Sequence, residues 1–218
     1  MRNFIGPAPL CTFLNFCNRS PLEKDVLDCG AGGSFPPLIM FHSQGYKTIG
    51  IDISDNQLDK ACKFCKENNV DLNIAKGDMR NLPFKNESLS FIYSYNSIFH
   101  LNKEDTHTAI SEMMRVLKSN GLLFVNFLSV DDCGYGDGIE LNKGEFVQSE
   151  NDTKVIHSYF EDNEPDKYFE HFDVIRKEKR LIQQKFDDGT YNLAYIDYIV
   201  KKLQPYKNNN SSLTLNMI

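Results

Sequence analysis

The stretch that most constrains this 218-residue chain is Val26-Leu27-Asp28-Cys29-Gly30-Ala31-Gly32-Gly33-Ser34. A short apolar run ends in an acid and a glycine-rich turn follows. Phe35-Pro36-Pro37-Leu38-Ile39-Met40-Phe41 then reads as the entry into a helix. Strand, glycine turn and helix, in that order, build the first βα unit of a nucleotide-binding fold. Gly30 and Gly32 permit positive φ and carry no Cβ to hold a ligand off the backbone. A proline at 36 or 37 suits a first helical turn, where a missing N–H is no loss. The turn alone is a weak signal. Ile49-Gly50-Ile51-Asp52 strengthens it: a second apolar strand ends in an acid about 20 residues on, where ribose hydroxyls are bound.

The rest of the chain alternates strands and helices. Leu38 to Ser43 completes a helix that Gly45 stops. Thr48 to Ile51 is a strand, and Ser54 or Asp55 caps the next helix. In that helix Leu58, Ala61, Cys62 and Cys65 recur at helical spacing. Leu72 to Ala75 and Leu89 to Ser94 read as strands. Asp105 to Leu117 reads as a helix with Ile110, Met113, Met114 and Leu117 on one face. Asn120-Gly121 ends it before Leu122 to Leu128, an apolar run expected to be buried on both faces. From Ser129 to Phe146 the period is lost and four glycines suggest a long mobile loop. Pro165 to His171 reads as a short helix. Val174 to Phe186 and Tyr191 to Val200 flank Asp187-Asp188-Gly189, a hairpin signal. Arg176, Lys177, Lys179 and Arg180 on the first of these strands suit a protected sheet edge. Residues 204–218 read as a disordered tail. Periodicity and order together give an α/β chain with a parallel sheet.

Composition narrows the function classes. Hydrophobic residues make up 41% of the chain, enough for a core, and 218 residues suit one domain. No apolar run is long enough to span a membrane, and no signal peptide is read, so a cytoplasmic location is expected. The net charge of −6 argues against a nucleic-acid backbone as the main partner. Cys62 and Cys65 form a lone C-x-x-C with no second pair and no His at zinc-finger spacing. Buried reduced thiols are expected, and no metal site.

Asp28-Cys29-Gly30-Ala31-Gly32-Gly33 resembles the D-x-G-x-G motif of class I S-adenosylmethionine-dependent methyltransferases. A dinucleotide fingerprint fits less well, because its third glycine would fall at Phe35. The resemblance continues through Asp52, Gly77-Asp78-Met79, Tyr93-Ser94-Tyr95-Asn96 and Val116-Leu117-Lys118-Ser119-Asn120-Gly121-Leu122-Leu123, spanning residues 22 to 201. It implies a three-layer Rossmann-like methyltransferase fold. The sheet would be mostly parallel and seven-stranded, in order 3-2-1-4-5-7-6, with an antiparallel C-terminal hairpin. It further implies one domain over 1–203, with residues 1–21 as a short N-terminal cover and 129–160 as a variable insert or loop. The short cover leaves two readings: an open substrate site, or a chain lacking part of its N-terminus.

The resemblance also implies S-adenosyl-L-methionine as cofactor and a set of residues that hold it. Gly30, Ala31 and Gly32 would admit its methionine portion, and Asp28 would orient the turn and the amino group. Asp52 would accept the ribose hydroxyls while Ile53 packs on adenine. Asp78 and Met79 would hold the adenine edge, and Tyr95 would neighbour the cofactor. Each acid has a plainer alternative as a local cap or turn residue. Catalytic candidates are Asn96 to orient the acceptor, His100 as a general base and Tyr135 as a pocket wall. Methyl transfer needs no protein nucleophile, so the lack of a triad motif is no objection. The leading expectation is a methyltransferase acting on a small-molecule acceptor by in-line displacement. The competing readings are a non-catalytic cofactor-binding subunit and a nicotinamide-dependent oxidoreductase. Neither the acceptor nor the oligomeric state is legible.

Overall fold

In the computed structural model the residues described are 6–150, 153–187 and 189–204. Five parallel strands form the first part of the sheet: β1 (Asp25–Cys29), β2 (Lys47–Asp52), β3 (Ile74–Lys76), β4 (Leu89–Ser94) and β5 (Leu117–Ser129). Four helices accompany them: α1 (Ala8–Asn18), α2 (Leu38–Ser43), α3 (Asp55–Asn68) and α4 (Lys103–Val116). After β5 come β6 (Ile139–Asn142), β7 (Glu145–Glu150) and β8 (Thr153–Phe160), then the long hairpin β9 (Asp173–Phe186) and β10 (Gly189–Lys201).

The strand order is β3-β2-β1-β4-β5, and β10 then lies antiparallel to β5 with β9 outside it. This is the expected order 3-2-1-4-5-7-6, with the hairpin supplying its last two strands. β1 and β4 are buried along their whole length, as a central strand covered on both faces must be. On one face Leu27, Ile92, Val125 and Phe127 pack against Ile110, Met113 and Met114 of α4. On the other, Val26, Tyr93 and Phe124 pack against Phe13 of α1 and Phe41 of α2. Tyr93 stacks on Phe41 at 5.2 Å between ring centroids.

Several sequence readings change. The expected loop from Ser129 to Phe146 is a loop over 130–138 and enters strands from Ile139 onward. β6, β7 and β8 form an antiparallel meander, and β8 joins the end of β5 in parallel through Leu128↔Tyr159 and Ser129↔Phe160. The seven expected strands therefore gain three. The strands from 139 were not read because β6 is exposed on both faces and shows no alternation, while Phe146 and Tyr159 are buried by contacts distant in sequence. The short helix expected over Pro165 to His171 is a 3-10 segment at Glu164–Tyr168. β5 begins at Leu117 directly after α4, with Asn120 at φ 63° inside the bend. Cys62 is exposed and Cys65 only half-buried, so the expected buried thiols are not a pair. Phe64 takes the core position instead, because the helix turns the face containing Ala61 inward. Apart from Gln204, the tail read over 204–218 lies outside the described residues.

Candidate active site

The glycine turn sits at the carboxyl ends of β1 and β2, where open α/β sheets bind ligands. Gly30 N–H and Ala31 N–H both donate to the Ile51 carbonyl, at 2.8 and 2.9 Å, which sews the turn to the end of β2. Gly30 has φ 104°, a conformation that favours glycine. A Cβ there would lie 2.0 Å from Ser97 Oγ, so the position admits no side chain. The second left-handed glycine is Gly33, not Gly32 as the sequence suggested. Gly32 is required for space: its Cβ would come within 2.5 Å of Asp52 Oδ2.

Asp52 is held by two backbone donors. Gly32 N–H reaches Oδ2 and Ser54 N–H reaches Oδ1, each at 2.9 Å. Asp52 is therefore not the cap of α3; Ser54 is, accepting from Gln57 N–H. The two donors fix the carboxylate plane and leave further lone pairs for hydroxyl donors. The adjoining cleft is lined by Gly30, Asp52, Ile53, Asp78, Met79, Arg80 and Ser97, among others. Its cavity volume of about 60 Å³ is small beside the roughly 300–1,000 Å³ of typical ligand pockets. Ile53, which is exposed, and the unbranched side chain of Met79 are the groups able to move aside.

Asp78 is tied down. Arg80 Nε and Nη2 donate to its carboxylate at 2.7–3.1 Å, Arg80 N–H donates to Oδ1, and Arg80 Nη1 bridges on to Asp105. The Arg80 hydrogen bond holds the Asp78 carboxyl below its ordinary range. Asp78 still lines the cleft, but as one end of an ion pair that sequence reasoning missed.

Asp28 is buried at the end of β1, opposite Tyr93 in the β1–β4 register. Its Oδ2 and the Tyr93 hydroxyl make no hydrogen bond of normal geometry. Burial pushes the Asp28 carboxyl up to about 8; the nearby Tyr93 phenol draws it down and the Asp52 charge raises it further. Ala31 is fully buried against the sheet, so only its backbone belongs to the turn.

Beyond β4, Asn96 has φ 51° and is locked to Asn126 of β5. Asn96 N–H donates to Asn126 Oδ1 at 2.8 Å, and Asn126 Nδ2 donates to Asn96 Oδ1 at 2.6 Å. Asn126 was legible as the lone polar residue inside an apolar strand, yet its role was missed. Tyr95 is half-buried with its ring against Phe124. His100 lies 4.7 Å from the ring of His157, which β8 buries. Tyr135 is 40% exposed and rests on Phe146 and Tyr159, two rings removed from His100. The structure thus gathers Gly30, Asp52, Ile53, Asp78 and Met79 around one cleft, puts Tyr95, Asn96 and His100 beside it, and sets Tyr135 apart. Among the described residues, no three His, Cys, Asp or Glu side chains cluster as a metal site would require.

Known proteins share parts of this sequence and its fold. The family model described as a methyltransferase domain matches residues 27–125. The chain is similar to sarcosine/dimethylglycine N-methyltransferases of Halorhodospira halochloris (26% identical over 117 residues, 52% of this chain and 41% of that protein). It is also similar to that of Aphanothece halophytica (29% over 138 residues, 61% and 49%). The chain thus spans less than half the length of these curated relatives. The crystal structure of a SAM-dependent methyltransferase from Methanosarcina mazei superposes with a TM-score of 0.71 at 19% identity. The match covers 92% of this chain and 100% of that one, a likeness of fold. No helix among the described residues is long and apolar enough to cross a membrane. By the motif, the sheet order and these matches, residues 27–125 are similar to a methyltransferase domain, and the sheet has the order of class I, Rossmann-like, S-adenosylmethionine-dependent methyltransferases.

Proposed function

We propose that this protein transfers a methyl group from S-adenosylmethionine to a small-molecule acceptor by in-line displacement. The observation that carries the reading is Asp52, oriented by Gly32 and Ser54 N–H groups at the rim of a cleft no side chain at Gly30 could share. When bound, S-adenosylmethionine supplies a methyl group already activated by a positive sulfur. The chain's own work is then to bind, align and exclude water. Asp52 accepts the ribose hydroxyls, and Ile53 and Met79 sandwich the base. Asp78, steadied by Arg80, accepts from the adenine amino group. Gly30, Ala31 and Gly32 offer bare backbone to the methionine portion, while Asp28 and Tyr95 flank it. Asn96, locked by Asn126, orients the acceptor. His100 takes the proton from an acceptor that must lose one, and Tyr135, set apart from the cleft, has no part in this reading. The similar proteins named for sarcosine and dimethylglycine support a small acceptor. The test is incubation with methyl-labelled S-adenosylmethionine and separate small-molecule and macromolecular fractions of a cell extract. Label is expected in the small-molecule fraction; label confined to protein or nucleic acid contradicts the reading.

A further inference from the structure

One charged side chain near the site is left over. Arg180 was expected to guard a sheet edge, but it turns inward. It stands opposite Tyr195 in the β9–β10 register, and Asp197 lies two residues along β10 on the same face. Asn126 and Leu128 of β5 are the register partners of Asp197 and Tyr195. The side chain of Arg180 is only 17% exposed and that of Asp197 6%. Arg180 Nε donates to Asp197 Oδ2 at 2.5 Å and Nη2 to Oδ1 at 3.0 Å, the side-on pairing of a guanidinium with a carboxylate. The guanidinium carbon lies 4.8 Å from the centre of the Tyr195 ring. Its charge is also felt at Tyr95, at the end of β4.

This arrangement has a direction. A guanidinium has five N–H donors in a planar fork, and the side-on pair uses two. The end-on edge, formed by Nη1 and the second hydrogen of Nη2, makes no other hydrogen bond among the described residues. Asp197 and Tyr195 fix the plane, so the free edge is preorganised. It belongs to the same sheet face as Asn126, which positions Asn96. The arginine therefore reaches over β10 toward the place where the acceptor would meet the methyl group. An end-on fork of this kind matches the two oxygens of a carboxylate.

We propose that Arg180 anchors a carboxylate of the methyl acceptor, so that the acceptor is a small carboxylate-bearing molecule. The proposal rests on the methyltransferase reading above. Asp197 is then a positioning residue that aims the fork, and Tyr195 is the surface it is stacked on. A lysine would keep the ion pair with Asp197 but could not present the second edge.

The test separates the two levels of the argument. The protein is saturated with S-adenosylhomocysteine and examined by saturation-transfer NMR with matched pairs: acetate and acetamide, propionate and propanamide, benzoate and benzamide. The carboxylates are expected to bind and the amides to bind at least about tenfold more weakly, the scale of one charged hydrogen bond. In Arg180→Lys the preference for carboxylate is expected to fall by about tenfold or more, with S-adenosylhomocysteine affinity unchanged. Arg180→Gln paired with Asp197→Asn removes both charges together, which avoids a lone buried carboxylate, and should lose the preference also. Arg176→Gln, a surface change outside the site, should retain it. Equal binding of amides, no carboxylate binding, or a preference that survives in both Arg180 variants overturns the proposal alone. Failure of S-adenosylhomocysteine to bind overturns the methyltransferase reading and this proposal with it.

Discussion

Asp52 illustrates how a residue becomes a site. Its carboxylate is oriented by two backbone N–H groups that exist only because Gly32 and Ser54 take their places in the turn. Asp52→Ala would remove the proposed acceptor for both ribose hydroxyls. Charge-assisted hydrogen bonds are worth roughly 1.5–3 kcal/mol each before water compensates, so cofactor affinity should fall by about tenfold or more in calorimetry. The melting temperature should change little, because the residue stands at a strand end; a collapse in stability with unchanged affinity would mean it is only a clamp for the turn. Asp28 makes a prediction in pH. Its folded carboxyl is pushed up to about 8, above the ordinary 3.8, by burial first, with Asp52 adding to it. The folded state therefore holds more protons than the unfolded chain between those values, and this group's contribution to stability falls as pH rises from about 4 to about 8. Below that window the contribution is intact, and above it the loss is complete. Asp28→Asn has no charge to bury, so its melting temperature should exceed that of the parent at pH 8 and approach it near pH 4. Parallel pH profiles for the two proteins would show that Asp28 is not the buried acid described here. These residues were legible in the sequence because a backbone turn and two strand-end acids form a local pattern. The partners of Arg180, Asp197 and Asn126 were not, because each is met only through strands or turns far apart in sequence.

Among the elements, the strands β1, β2, β4 and β5 and the C-terminal hairpin were legible from short apolar runs bounded by turn residues. The meander of β6, β7 and β8 was not. Gly134, Gly136 and Gly138 belong to the true loop before β6, and the strands that follow are held by pairing rather than by their own pattern. Phe146 on β7 and Tyr159 on β8 are almost fully buried with Phe99 and Leu128, so the meander is fastened to the sheet. Ser158 Oγ adds a hydrogen bond to the Leu101 carbonyl at 2.7 Å. A segment mobile as one unit from 129 to 146 does not fit this packing. Amide exchange should show Phe146 to Gln148 and Ile156 to Tyr159 protected before any ligand is added, and no less so after. Phe146→Ala should destabilise the protein by roughly 3–5 kcal/mol, the cost of emptying a buried aromatic position. Rapid exchange through β7 and β8 in the free protein, or a Phe146→Ala variant as stable as the parent, would restore the mobile-loop picture.

Across the whole molecule, the proposed cofactor residues lie on β1 and β2 and in the turns after β1 and β3, and the proposed acceptor residues lie just after β4 and on β9. Binding at their shared rim should couple to global stability. A ligand at 100 times its Kd adds about 2.7 kcal/mol, which for a chain of this size raises Tm by roughly 5–11 °C. Cofactor choice separates methyl transfer from nicotinamide chemistry, and isothermal calorimetry on this chain measures it. S-adenosylmethionine and S-adenosylhomocysteine should each bind at one site, with affinity lost in Asp52→Ala, and NAD and NADP should give no comparable heat. Preferential binding of NAD or NADP, or no binding of either S-adenosyl compound, would contradict the account.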